Sequence, residues 1–380
     1  MVDLLIVGGG IMGLWAAVMA DRAGLKTLLV ERDKIGAGAS GGVLGALMPY
    51  MPDRWDAKKQ FQFEALVSLE RDIATLEAQT GISAGYRRSG RLIPLPKPHL
   101  RTIALRHEQD ALVNWRQGDR RFFWHVQDSP AAAGWPENEA MASGVVFDTL
   151  AARVDPRLLL ALLARALGQS RHVKIEEGRA LAGLDPVAGK ATFSDGHSLS
   201  FGACILAAGV DTFRHLDALP DKPAAASSGM AVKGQAAVLK ADLDSALPVI
   251  FLDGLYVVPH DNGLVAVGST SENSFANPAS NDHLLDDLLA RARAVVPLLA
   301  DAPVVERWAG LRPKAIGRDP MVGCHPDHHQ IYTLTGGFKI SFGLAHRLAA
   351  SVIGEMAGQR DEALPDSFRW ASHFSLLRAS

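Results

Sequence analysis

Cysteine is nearly absent: the 380-residue chain holds two, Cys204 and Cys324. Two thiols cannot build a disulfide framework, and the pattern fits a reducing compartment. No apolar run reaches the ~18 residues that a spanning helix needs, and the stretch PRLLLALLARAL at 156–167 is short and broken by Arg165. Neither sign of charge is in excess. With 39 basic and 41 acidic side chains the formal charge is −2, which leaves no electrostatic footprint for nucleic acid or an anionic membrane. The start lacks the basic region, apolar stretch and small-residue cleavage site of a secretory leader, because Val2 to Val7 already reads as a buried strand. There is no internal repeat and no low-complexity tail. A cytoplasmic protein is the expectation, and 48% apolar residues suffice for two domains.

What is present begins at residue 4, with LLIVGGGIMGLWAAVMADRAGLKTLLVERD. Leu4 to Val7 is a short apolar run, Ile11 to Ala23 reads as a helix and Thr27 to Glu31 as a second buried strand, together one βαβ unit. Gly8, Gly10 and Gly13 fit GxGxxG in the strand-to-helix context that gives the pattern meaning. Gly8 permits the tight turn, Gly10 lets backbone approach a pyrophosphate, and Gly13 lets the helix lie close to the sheet. Unpaired first-turn amides around Ile11 and Met12 offer partial positive charge to phosphates. Glu31 ends the second strand where a carboxylate accepts ribose hydroxyls, with Arg32 next to it. The unit predicts a dinucleotide.

Further along, helical periodicity at Lys58 to Gln79, a helix at 156–167 opened by Asp155, and a strand at 172–176 continue the α/β signal. Asp195-Gly196 centres a hairpin that leads into a strand at 203–206. From about 229 to 271 the pattern turns antiparallel, with Asn262-Gly263 between two apolar runs, and a helix follows at 281–296. The closing helix is expected after Gly343. The fold class expected is α/β, or α+β overall: a Rossmann-like domain of residues 1–85, 140–225 and 305–380, interleaved with an antiparallel-sheet domain of 86–139 and 226–304.

The loop RDKIGAGASGGVLGAL at 32–47 is out of place in a simple NAD domain, and here the chain resembles the D-amino acid oxidase superfamily, most closely its glycine oxidase and sarcosine oxidase branch. In that family such a loop passes under an FAD, which maps onto Ala39, Ser40, Gly42, Val43 and Leu44. LAAGV at 206–210 resembles the turn that approaches the dinucleotide from its far side, through Ala208 and Gly209. EEGRALAGL at 176–184 resembles the segment whose backbone holds the adenine, at Ala180. ERWAGLRPKAIGRDPMVG at 306–323 carries the family's GLRP run, and TLTGGFKIS at 333–341 follows it. By resemblance Gly337, Phe338, Lys339, Ile340 and Ser341 wrap the flavin's pyrimidine end, so two distant glycine loops serve one ligand. No cysteine stands where the covalent members attach their flavin, which implies noncovalent FAD.

The resemblance implies oxidation of a small amino acid or N-substituted glycine to the imine by hydride transfer to flavin, with O2 reduced to H2O2. Such chemistry needs positioning more than acid-base machinery. Arg312 of GLRP is the implied carboxylate fork. Tyr256 is the implied substrate-facing phenol, or a core tyrosine with a satisfied hydroxyl. Lys339 replaces a common Arg, Gly337 a common His and His260 a frequent Arg; Lys339 either steadies anionic flavin or oxygen species or is solvated. A dehydrogenase using a quinone or protein acceptor, a flavin-bearing subunit of a larger complex and an NAD site remain alternatives, and a homo-oligomer stays open. CHPDHH at 324–329 lacks the i, i+4 spacing of a helical zinc site, so no metal is expected. RRFFWHV at 120–126 reads as core packing.

Overall fold

The computed structural model describes residues 1–220 and 227–379. Five strands lie side by side and parallel, in the order Val173–Glu176, Thr27–Val30, Val2–Val7, Ser198–Leu206 and Ile331–Thr335. Met321–Cys324 closes one edge antiparallel to Ile331–Thr335. The four-residue run Thr27–Val30 is buried throughout, as a strand covered by helices on both faces requires. One face packs helices Ile11–Arg22, Pro156–Leu167 and Ser341–Met356 through Trp15, Leu159, Leu163, Leu344 and Leu348. The other is covered by Phe213, Leu216, Trp370 and Phe374.

Local signals set the helix ends. Asp155 caps Pro156–Leu167 by accepting the amides of Arg157 and Leu158, and Asp56 caps Ala57–Thr80 by accepting that of Lys59. Gly81 stops the second of these at φ 73°, the left-handed exit that glycine takes without strain. The closing helix starts at Ser341, two residues before the expected Gly343, because Ile340 rather than a glycine is its N-terminal boundary.

The second sheet runs Val304–Ala315, Gly229–Lys240, Leu264–Gly268, Leu255–His260, Val249–Leu252, Arg91–Pro94, Val145–Asp148, Trp124–Gln127. It is antiparallel except where Val249–Leu252 meets Arg91–Pro94. Asn262 and Gly263 turn between two of its strands at φ 62° and 66°. Helix His283–Val295 covers one face through Leu285, Leu288 and Leu289.

Two segments depart from the expected division. Val145–Asp148 and residues 305–315, assigned by sequence to the dinucleotide domain, hydrogen-bond into the second sheet. Residues 304–315 form an edge strand despite Gly310 and Pro313, and at an edge a proline without an amide donor is tolerated. The boundary expected at 225/226 lies outside the described residues. Helix Pro98–Asn114 has no counterpart in the sequence reading, since it buries only Ala104 and Ala111 and shows no apolar stripe. Of the 120–126 run, Phe122 and Trp124 are buried.

Candidate active site

The parallel strands converge where a doubly wound sheet places its ligand, beyond their carboxyl ends. Gly8 leaves strand Val2–Val7 at φ 112°, and a Cβ there would fall 2.5 Å from the carbonyl oxygen of Ala207. The Ala207 amide donates to the Val7 carbonyl at 2.8 Å, which draws the 206–210 turn against the first glycine loop. Glu31 accepts the Gly9 amide at 2.7 Å and that of Asp33 at 2.9 Å. Its carboxylate thus fixes the loop while facing the cavity. Helix Ile11–Arg22 has glycine at its N-cap, and Ser40 accepts the Ile11 amide at 3.0 Å.

These elements line a cavity of about 560 Å³, together with every other residue expected in the site except Gly13. Gly8, Gly10, Ile11, Met12, Glu31 and Arg32 line one end of it with Ala180, Ala208 and Gly209, while Ala39, Ser40, Gly42, Val43 and Leu44 form one wall. Gly13 has the packing role its place in the motif implies: a Cβ there would lie 1.9 Å from the Gly8 carbonyl oxygen. Arg32 is committed to carboxylates, pairing with Asp211 at 2.5 Å and Asp33 at 3.0 Å, and these raise its pKa. The 39–44 wall is tied to the second sheet by His260, whose Nε2 lies 3.2 Å from the Val43 and Leu44 carbonyls and donates to them. Burial and the nearby Arg153 charge push that imidazole toward its neutral form.

At the other end stand Tyr256, Arg312, Gly337, Phe338, Lys339, Ile340 and Ser341. The antiparallel bridge Lys314–Gly337 joins the arginine's strand to the second glycine loop, and the Phe338 amide donates to the Pro313 carbonyl at 3.2 Å. Arg312 and Lys339 thus reach the cavity from stitched segments. Burial pushes the guanidinium down to about 10, with Tyr256 and Glu272 acting against the fall, so it stays charged near neutrality. Among the described residues Arg312 forms no ion pair, and its guanidinium donates one hydrogen bond, to the Thr270 carbonyl at 3.1 Å. Burial raises the Tyr256 phenol, and the charges of Arg91 and Arg312 pull it back. Lys339 is exposed to solvent at the cavity, where desolvation and repulsion from Arg312 lower its pKa.

Gln62, Arg179 and Trp308 also line the cavity and were not singled out from sequence. Arg179 lies over the Phe193 ring at 4.1 Å, and Trp308 meets Gly42, where a Cβ would stand 3.4 Å from the indole. No motif marks them, because long-range packing brings them in. Cys324, His325, His328 and His329 cluster at the turn before Ile331, and among the described residues no group of three or more such side chains is arranged to hold a metal.

The residues present fit an extended flavin dinucleotide. A Cβ at Gly10 would meet only Ser40 within 4 Å, so glycine there keeps the approach open, while Gly209 turns at φ 60° with nothing within 4 Å of a Cβ. Comparison with known proteins gives the same answer. The family model described as DAO, FAD dependent oxidoreductase, matches residues 3–351. Glycine oxidase of Pseudomonas aeruginosa is 28% identical over 94% of this chain and 95% of its own, and glycine oxidase of Pseudomonas putida is 27% identical over 90% and 91%. In fold, the crystal structure of glycine oxidase from Geobacillus kaustophilus superposes with a TM-score of 0.83 at 20% identity, covering 97% of this chain and 98% of that one. With the family model spanning nearly the whole chain, the protein belongs to the DAO family of FAD-dependent oxidoreductases.

Proposed function

We propose that the protein oxidises a small amino acid or N-substituted glycine to its imine, which water hydrolyses to the oxo acid, with O2 as final acceptor and H2O2 as product. One observation carries this: a half-buried guanidinium without an ion-pair partner among the described residues faces the same cavity as the glycine cradle. A cation so placed suits a carboxylate, and the planar fork grips it bidentately. The glycine oxidases of both Pseudomonas species support an amino-acid substrate.

Bound FAD supplies the two-electron acceptor for the hydrogen leaving the substrate carbon. The Gly8–Gly13 loop and the helix behind it would hold the pyrophosphate, Glu31 the ribose, the Ala180 backbone the adenine and 337–341 the pyrimidine end. Arg312 fixes the carboxylate, so the amine-bearing carbon presents one face to the cofactor. Tyr256, on a strand separated from that of Arg312 by two others in the second sheet but within reach of its charge, keeps its proton and donates to the substrate's carboxylate. Lys339 adds positive charge where the redox end gains negative charge. We further propose that the chain is two interleaved units, the parallel sheet carrying the dinucleotide and the antiparallel sheet the substrate, working in the cytoplasm.

Peroxide release and substrate turnover, measured with and without an artificial electron acceptor, test the acceptor assignment. Peroxide matching turnover with glycine or sarcosine is the expected result. Turnover that requires the artificial acceptor would replace O2 by a quinone or protein partner.

A further inference from the structure

The carbonyl that holds Arg312 sits in an irregular stretch. Ala236 faces Gly268 across the sheet, but three residues earlier Lys233 faces Glu272, four residues later. The extra residue makes a bulge at 269–271, a device that re-aims groups beside a site. Here it turns the Thr270 carbonyl to the Arg312 guanidinium, 3.1 Å away. The guanidinium lies along the neighbouring strand over Gly234, where a Cβ would fall 1.9 Å from Nη1 and 2.2 Å from Cζ. Gly234 leaves the space, and Thr270 fixes the direction.

Thr270 is itself pinned. Its hydroxyl donates to Glu272 Oε1 at 2.5 Å and accepts the Gln235 amide at 2.8 Å. Glu272 is in turn bound by Gln235 Nε2 at 3.0 Å and paired with Lys233 at 3.4 Å, with side-chain exposures of 2% for Lys233 and 9% for Glu272. Lys233 and Gln235 also hold Asp282, at 3.1 and 2.7 Å. Asp282 has a structural task of its own, since it caps helix His283–Val295 at the Leu284 amide. Glu272 caps nothing and points its acceptor at Thr270.

We propose that Glu272, acting through the Thr270 hydroxyl, is a positioning residue that sets how Arg312 meets the substrate carboxylate. The inference rests on Arg312 being the carboxylate-binding group. Glu272 touches neither substrate nor cofactor; it locks the bulge whose carbonyl aims the guanidinium. A loose bulge leaves Arg312 charged and present but poorly directed, which weakens carboxylate binding without removing it.

The test is binding of acetate to the FAD-loaded enzyme, read as perturbation of the flavin spectrum. Thr270→Val and Glu272→Leu, which break the link at either end, weaken acetate about fivefold, the net worth of one hydrogen bond. Glu272→Gln keeps an acceptor for the hydroxyl and stays within about twofold of the parent. Glycine follows acetate, with KM raised and kcat little changed. Should Glu272→Leu fail to fold, Thr270→Val decides alone. Acetate affinity within about twofold of the parent in Thr270→Val, with a strong loss in Arg312→Leu, overturns the positioning role and leaves Arg312 as the anchor. Equal loss in Glu272→Gln and Glu272→Leu also overturns it, since charge and not the Thr270 link would then be at work. Unchanged acetate binding in Arg312→Leu removes the carboxylate reading beneath it.

Discussion

The amide of Phe338 donates to the carbonyl of Pro313 at 3.2 Å, so the second glycine loop and the strand that carries Arg312 are one structural piece. Phe338 accepts a left-handed φ of 45° there, a conformation a bulky residue adopts only when its surroundings enforce it. The proposed carboxylate anchor, Arg312, and the loop assigned to the redox end of the cofactor are fixed relative to each other.

Gly10→Ala separates folding from cofactor binding. Its Cβ would meet only Ser40, at 3.0 Å, so the chain still folds, but the methyl enters the space assigned to the pyrophosphate. FAD affinity falls tenfold or more, about 1.4 kcal/mol, measured by flavin fluorescence on release, while the melting temperature of the apoprotein holds. Gly13→Ala differs: its Cβ would stand 1.9 Å from the Gly8 carbonyl oxygen, so helix and sheet separate and the apoprotein itself is destabilised.

Arg312→Leu keeps its FAD and loses about 2–5 kcal/mol of transition-state stabilisation with carboxylate substrates, the usual cost of removing one partner of a buried charge pair. kcat/KM with glycine or sarcosine therefore drops by about 30-fold to several thousandfold. Unaltered kinetics in a flavin-loaded variant would contradict the assignment.

Asp148 holds Arg91 through a 2.5 Å bond between side chains 0% and 3% exposed. Asp148→Ala leaves a buried guanidinium without its counter-ion and costs about 3–5 kcal/mol, read from the urea midpoint. Arg91→Leu combined with Asp148→Leu recovers most of that loss. A double variant no more stable than the single one would show that the pair does more than cancel charge.

Stability falls in acid for a definite reason. Burial pushes His346 from an ordinary 6.5 down to about 3 and His325 to about 4. Above pH ~6.5 both are neutral whether folded or not, and their contribution is fully present. Below it the unfolded chain takes up protons that the native state refuses, so each histidine removes about 1.4 kcal/mol per pH unit until the folded value is reached. His346 packs 5.7 Å from Trp15 and bonds Ser68 at 2.9 Å; His346→Leu flattens the acid limb by one proton. Urea midpoints between pH 4 and 8 check this, and an unchanged slope refutes it.

Residues whose placement is set by nearest neighbours were legible in the sequence. Gly8, Gly10, Gly13 and Glu31 fall within one βαβ unit, where strand, turn and helix lengths fix geometry. Arg312 and Lys339 were named only by family resemblance, because their meeting depends on the Lys314–Gly337 bridge, which nothing local predicts. Trp308, Gln62 and Arg179 carry no pattern and reach the cavity through tertiary packing. Strand 304–315 was not read from the sequence, because its Gly310 and Pro313 are disfavoured in strands and only an edge position accommodates them.

The most direct test of the account is anaerobic titration of the purified, FAD-loaded protein with glycine, sarcosine and D-amino acids, followed at the flavin absorption band. Stoichiometric bleaching by at least one carboxylate-bearing amine, lost in Arg312→Leu, is the predicted result. A yellow protein that none of these amino acids reduces, or one reduced equally well with and without Arg312, would contradict it.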